Sequence, residues 1–184
     1  MPSLPPEIAA LLANGEKILW SGQPRPSVFI QRGLPNLAYG VTWSVLGAFW
    51  YHGAGGVGEY SAFSGWWRIV PILSVPFIFA GFSFWLYPLR LGPKARHTWY
   101  VVTDRRVFIA ELPSGQSPHL RVFSPEEMAP PQVVQRFDRP PLTDVIFTHR
   151  AQKNPHLLPA LDEAFFGLAD GEAAVVAIKS AMQR

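Results

Sequence analysis

Residues 69–89 read IVPILSVPFIFAGFSFWLYPL, 21 consecutive positions without Asp, Glu, Lys or Arg. A helix that crosses the ~30 Å hydrocarbon core of a bilayer needs about 20 apolar residues. The run is apolar on every side, so no choice of face turns it into a surface helix of a soluble domain. Upstream, residues 33–58 form a second uncharged run of 26 positions, most apolar over 37–51 (LAYGVTWSVLGAFWY). The competing reading is a pair of core helices buried in a soluble protein. Aromatic placement counts against it. Trp50 and Tyr51 end the first run, Trp66 and Trp67 precede the second, and Trp85 and Tyr87 lie near its far end. Amphipathic aromatic rings gather where lipid meets water. Pro71 and Pro76 predict a kink near Pro76, tolerated in lipid better than in water, and Pro88 is expected to mark the exit.

The flanks predict an orientation. Arg25 and Arg32 precede the first run, and Arg90, Lys94 and Arg96 follow the second. The connecting loop holds Arg68 and Glu59. Cations favour the cytoplasmic side, so both termini are expected there, on the inner membrane, with the loop external. The first run starts too far from Met1, and lacks the small-residue site, to be a cleaved signal peptide. The organisation expected is 1–32, an N-terminal helix and first strand; 33–90, a transmembrane helical hairpin; and 91–184, a cytoplasmic domain.

Composition narrows the rest. The chain has 184 residues, 48% hydrophobic, 14% aromatic and only 16% charged. A soluble domain averages roughly 25% charged, and the composition disfavours disorder, which needs high charge and few aromatics. With no cysteine, disulfides, thiolate metal sites and thiol nucleophiles are excluded. A net charge of +3 is no dense basic field and gives a nucleic-acid partner little support.

Outside the apolar runs the pattern is short strands closed by a helix. Residues 3–15 predict a short helix with Ser3 as cap, Pro5 and Pro6 in its first turn and Asn14-Gly15 at its end. Its Ile8, Leu11 and Leu12 share a face that either lies on lipid headgroups or packs on the adjoining domain. Strands are expected at 17–22 (KILWSG), 97–103 (HTWYVVT), 106–112 (RVFIAEL), 119–124 (HLRVFS), 133–137 and 144–149 (DVIFTH). The second and third of these are joined by a tight turn at Asp104-Arg105. Residues 125–132, with Pro125, Pro130 and Pro131, are expected to be loop. Asp170 caps a predicted helix over 171–182. Its Glu172 near the start, and Lys179 and Arg184 near the end, suit the helix dipole.

These residues carry a resemblance. GEKILWSGQPRP (15–26), then an apolar hairpin, then Tyr100, Thr103, Asp104, Arg105 and Arg106 in a Tyr-x-x-Thr-Asp-Arg-Arg strand pair, then DVIF, then FFGLAD (165–170), follow the order of the membrane-anchored bacterial pleckstrin-homology (PH) domain proteins. The chain resembles that family over most of its length. The resemblance implies an α+β membrane protein: a two-helix transmembrane hairpin inserted before a PH-like antiparallel β-sheet or barrel capped by a C-terminal helix. It implies no particular ligand, since the fold serves many roles.

Chemical motifs are sparse. Gly53, Gly55 and Gly58 spell G-x-G-x-x-G, but without a preceding strand, or an acidic residue between Glu59 and Asp104, the spelling is a loop. His52, His97, His119, His149 and His156 match no metal-binding spacing; His97, His119 and His149 approach one another only if all the strands form. There is no nucleophile elbow and no P-loop, and Glu126-Glu127 and Asp162-Glu163 read as solvated surface. No catalytic, metal or cofactor site is expected. Arg90, Lys94 and Arg96 are expected at the membrane surface, where each basic residue gains about 1 kcal/mol near anionic lipid. Arg105 and Arg106 either join them or divide, one exposed at the turn and one paired with a carboxylate.

The expected function is non-enzymatic: an integral inner-membrane protein whose cytoplasmic PH-like domain is an interaction module for a protein or a lipid surface. The alternative is an accessory or assembly subunit of a larger membrane complex, with the hairpin as interface through the small residues Gly40, Ser44, Gly47 and Ala48. The expected partners are membrane lipids and a protein partner or complex, with neither nucleic acid nor a small-molecule substrate.

Overall fold

The structure, a computed structural model, describes residues 4–56, 63–113, 115, 117–124, 126–136, 141–153 and 160–183, the side chain of Trp66 excepted. Ser3, Gly58, Glu59, Pro125, Phe137, Pro140, His156 and Arg184 lie outside them. The chain is α+β and divides into two compact units, residues 30–92 and residues 1–29 with 93–184.

In the strand-bearing unit, β1 (Ile18–Gly22), β2 (Thr98–Thr103), β3 (Val107–Glu111) and β4 (His119–Phe123) form one antiparallel sheet in that order. A second antiparallel sheet has the order β5 (Met128–Arg136), β6 (Leu142–Thr148), β7 (Phe165–Leu168). Alternation along β2 explains why all six of its residues are buried. Tyr100 and Val102 face the main core, while Trp99 and Val101 face the opposite side, as the strand's period of two requires. The main core is aromatic: Phe165 stacks on Tyr100 at 4.6 Å and on Trp20 at 5.7 Å, and meets Phe147 edge-on at 4.8 Å. Such pairs gain energy beyond their buried area. The outer face is covered by α1 (Pro6–Ala9) through a fully buried Ile8, with Leu4, Leu11 and Leu12 beside it. The apolar face of the N-terminal segment therefore packs on the sheet. α5 (Gly171–Met182) closes the unit, with the Asp170 carboxylate accepting a hydrogen bond from the Ala173 N–H at 3.2 Å.

One proline expectation fails here. Residues 128–132 are strand, because β5 lies at a sheet edge where a missing N–H costs little. Four steps along β5, from Met128 to Gln132, face two along β6, from Thr148 to Ile146, and this bulge takes up Pro130 and Pro131. FFGL also forms a strand, β7, turned at Gly167 with φ +63°. A side chain there would collide with Val28 at 2.7 Å. The strand expected over 144–149 forms as β6 and ends one residue early, at Thr148, with His149 opening a short helix, α4 (His149–Lys153).

The other unit is helical. α2 (Pro26–Gly53) contributes most of its length, followed by a 3-10 helix (Gly65–Leu73) and α3 (Ser74–His97). The change of winding falls at Leu73/Ser74, three residues ahead of the expected kink. Pro76 sits in the first turn of α3, where an N–H has no helical partner to lose. Pro88 does not end the helix: α3 runs through it to His97. Pro88 is buried and faces Gly33, where an added Cβ would lie 2.9 Å from the Pro88 Cα.

That contact belongs to a series. Gly33 meets Pro88, Gly40 meets Gly81, and Gly47 meets Ser74. Each step of seven along α2 is matched by seven steps back along α3, so the helices run antiparallel with small or compact residues at the seam. A period of seven is the repeat of left-handed helix pairs. A Cβ on Gly40 would sit 2.8 Å from the Gly81 carbonyl oxygen, and one on Gly81 would sit 2.8 Å from the Ser44 amide nitrogen. Gly81→Val therefore pushes the helices apart. Overpacking costs about 1–3 kcal/mol, and the expected result is a clear fall in thermal stability in detergent micelles, followed by circular dichroism, with Phe79→Val at an exposed position nearly unchanged.

Candidate functional site

The helical unit has its polarity inverted. Its seam buries Gly33, Gly40, Gly47, Ser74 and Gly81, while its outside carries the large side chains. Phe49 is 75% exposed, Phe79 68% and Leu89 66%, and Trp43, Leu46, Ile72 and Phe82 are exposed as well. The reason is steric: where backbones approach this closely, only small residues fit between them, and the bulky ones are driven outward. Soluble monomers rarely expose continuous apolar surface beyond a few hundred Å². Residues 67–97 form one helical stretch long and apolar enough, by length and composition, to cross a membrane; it is the one such stretch among the described residues. α2, with 28 residues, does not meet the same test, diluted by Asn36, Thr42, Ser44 and its glycines.

The aromatic candidates divide by position. Trp50, Tyr51 and Trp67 are exposed near one end of the helices, with Trp85 and Tyr87 exposed toward the other. Trp85 also lies against Gly40, and Trp43 stacks on Phe77 at 5.5 Å. Gly40, Ser44 and Gly47 are in contact, as their sizes imply, but with α3 of the same chain. Ala48 alone of that set is exposed. The small-residue face proposed as an interface to another subunit is thus already occupied within the hairpin.

The cations separate too. Arg90, Lys94 and Arg96 are not beyond the second helix but on its last turns. Arg90 and Arg96 are exposed, and Lys94 binds Glu111 at 2.8 Å. At the β2–β3 turn, Arg105 is exposed while Arg106 turns inward. Its Nε donates to Glu16 Oε1 at 2.9 Å, and its Nη2 donates to Glu16 Oε2 at 3.0 Å and to the Leu11 carbonyl at 2.8 Å. The Thr103 hydroxyl donates to Glu16 Oε1 at 2.7 Å, and the Ala13 N–H donates to Oε2 at 2.8 Å. The Glu16 side chain is 1% exposed. Arg106 is therefore a structural clamp between the β-hairpin and the N-terminal segment, and leaves the set of lipid-contacting cations. The Thr-Asp-Arg-Arg motif singled out the arginine, but its carboxylate partner, 90 positions away, carried no sequence signal.

The described histidines sit on separate elements. The His97 carbonyl accepts from the Leu112 N–H, His119 is paired in register with Glu111, and His149 opens α4 after the other sheet. Among the described residues no three His, Asp or Glu side chains gather as metal ligands would. Asp144, buried on β6, accepts from the Gly167 N–H at 2.8 Å and from Arg136 at 3.1 Å, tying β5, β6 and β7 together.

No family model matches the sequence, and neither a curated protein nor a solved structure is detectably similar to it.

The Glu16 clamp carries a pH signature. Burial alone raises the carboxyl's pKa. The hydrogen bonds from Arg106, Ala13 and Thr103, with the charge of Arg106, outweigh that and hold it at about 2, below an ordinary 4.5. A carboxyl depressed in the folded state stabilises it fully above the unfolded pKa and progressively less as pH falls to the folded one. At about 1.4 kcal/mol per unit, the contribution is of order 3 kcal/mol, lost between roughly pH 4.5 and pH 2. Glu16→Gln is expected to lower stability at neutral pH and to flatten the pH dependence across that window, as measured by denaturant unfolding in micelles.

Proposed function

We propose that this chain is a non-enzymatic, multi-pass protein of the bacterial inner membrane, anchored by α2 and α3 as a transmembrane hairpin, with both termini cytoplasmic, and that its strand-bearing unit is a PH-like interaction module held at the membrane surface. One observation carries the reading: the helical unit buries glycine and exposes phenylalanine, tryptophan and leucine along both helices, a distribution that water penalises at about 25 cal/mol per Å² of apolar surface and lipid does not. α2, too polar to pass alone, crosses as the partner of α3, with Ser44 facing the seam.

The PH-like assignment rests on the resemblance and on the architecture beside it. Antiparallel strands followed by one C-terminal helix, with the apolar helices falling between β1 and β2 in chain order, support it, while the strands form two sheets where the resemblance implies one sheet or barrel. Orientation rests on charge. Arg25, Arg32, Arg90 and Arg96 lie at one end of the apolar stretches and Arg68 at the other, and the excess of cations marks the cytoplasmic side. Arg90, Arg96 and the exposed Arg105 supply contacts to anionic headgroups. The hairpin is an anchor in this reading, because its small-residue face is satisfied by its own partner helix.

Membrane fractionation tests the reading. The chain is expected in the membrane pellet, resistant to high salt and to alkaline carbonate and released by detergent, with a reporter at the carboxyl end active only in the cytoplasm. Release by high salt alone, or a periplasmic reporter, contradicts it.

A further inference from the structure

We propose that the free edge of β1 and the facing side of α5 form a docking groove for an extended segment of another protein, one that carries alternating apolar side chains and a basic residue. The inference deepens the interaction-module reading and rests on it.

The groove encloses about 700 Å³, within the range of binding sites rather than of packing defects. Five consecutive residues line one side, Leu19 to Gln23, which include most of β1. Side chains on a strand alternate between faces, so a cavity touching five in succession runs along the strand's edge. That edge is open: β1 stands at the end of its sheet and pairs with β2 alone among the described residues. Sheet edges are usually protected by charge or proline, yet Ile18–Gly22 reads ILWSG and has neither.

The opposite wall is one face of α5. Ala173, Val176, Ala177 and Ser180 stand at the three-and-four spacing that aligns side chains on a helix. They are small enough to leave room for a backbone. Val176 is 65% exposed although apolar, more than any other large apolar side chain among the described residues of the unit. An added strand would take backbone hydrogen bonds from β1 and place alternate side chains against Trp20, Leu168 and Val176, the usual logic of strand addition. Charge fixes the polarity of the occupant. Asp170 is the one acidic or basic residue lining the groove, it is exposed, and Glu172 follows on the same exposed turn. An acidic segment would meet repulsion there, and a basic one attraction.

The test uses the full chain in neutral detergent micelles and three capped eight-residue peptides: alternating valine and lysine, alternating valine and glutamate, and alternating serine and lysine. Fluorescence anisotropy is expected to show saturable binding of the valine–lysine peptide, with the valine–glutamate peptide about ten-fold weaker or more. The serine–lysine peptide, which has charge but no apolar side chain, is not expected to saturate. Ala173→Trp fills the groove and abolishes binding. Val176→Lys, at an exposed position that leaves folding intact, weakens the valine–lysine peptide and narrows its advantage over the acidic one. Absence of saturable binding, equal binding of all three peptides, or indifference to Val176→Lys overturns the groove. Because the chain is held in micelles throughout, those failures leave the membrane anchor standing, and a failed fractionation leaves a positive peptide result standing.

Discussion

Gly40 and Gly81 meet backbone to backbone, and the organisation of the helical unit depends on that approach. Two helices this close can place only small residues between them. The bulk of their side chains must then face outward, and in this sequence that bulk is phenylalanine, tryptophan, leucine, isoleucine and valine. Close packing at the seam and an apolar exterior are thus two consequences of one constraint. A soluble protein would have to cover such an exterior with further layers of structure; a bilayer covers it without any.

The strand-bearing unit obeys the opposite rule. Its aromatic side chains converge on Phe165, and its charges stay at the surface or are paired where they are buried. The Glu16–Arg106 pair shows what a buried charge requires: each carboxylate oxygen receives two hydrogen bonds. Removing either partner would strand the other in a site with little water, which is why such pairs are costly to break even where they add little net stability. The clamp fixes the N-terminal segment against the β2–β3 turn, and Ile8 against the outer face of the sheet.

Much of this was legible in the residues. Long absence of charge marked both helices, and β-branched runs broken by Asp104-Arg105 marked the first hairpin. Asp170 announced the last helix, with its Ala173 bond now visible. What was hidden has identifiable causes. Proline reads as a breaker, so Pro130 and Pro131 concealed a strand that survives through an edge position and a bulge. FFGL is too short, and too interrupted by Gly167, to show alternation. Arg106 stood out in its motif, but a salt bridge spanning 90 positions has no local pattern. The seam was half legible: Gly40, Ser44 and Gly47 were evident on α2, whereas their counterparts Ser74, Gly81 and Pro88 keep the same interval of seven on α3 and could have been found by looking for it. The β1 groove had no signature, since it depends on which strand ends the sheet.

The absence of cysteine in the chain makes the deciding measurement clean. A single spin-labelled cysteine at Phe79, with others at Phe49 and Ser180 in separate variants, reports local surroundings in liposomes through relaxation by oxygen, which concentrates in lipid, and by a water-soluble nickel chelate. Labels at positions 79 and 49 should be relaxed by oxygen and shielded from nickel, with the label at 180 showing the reverse. Equal access of nickel to all three would mean that the exposed aromatic surface faces water, and that the helical unit is not a membrane anchor.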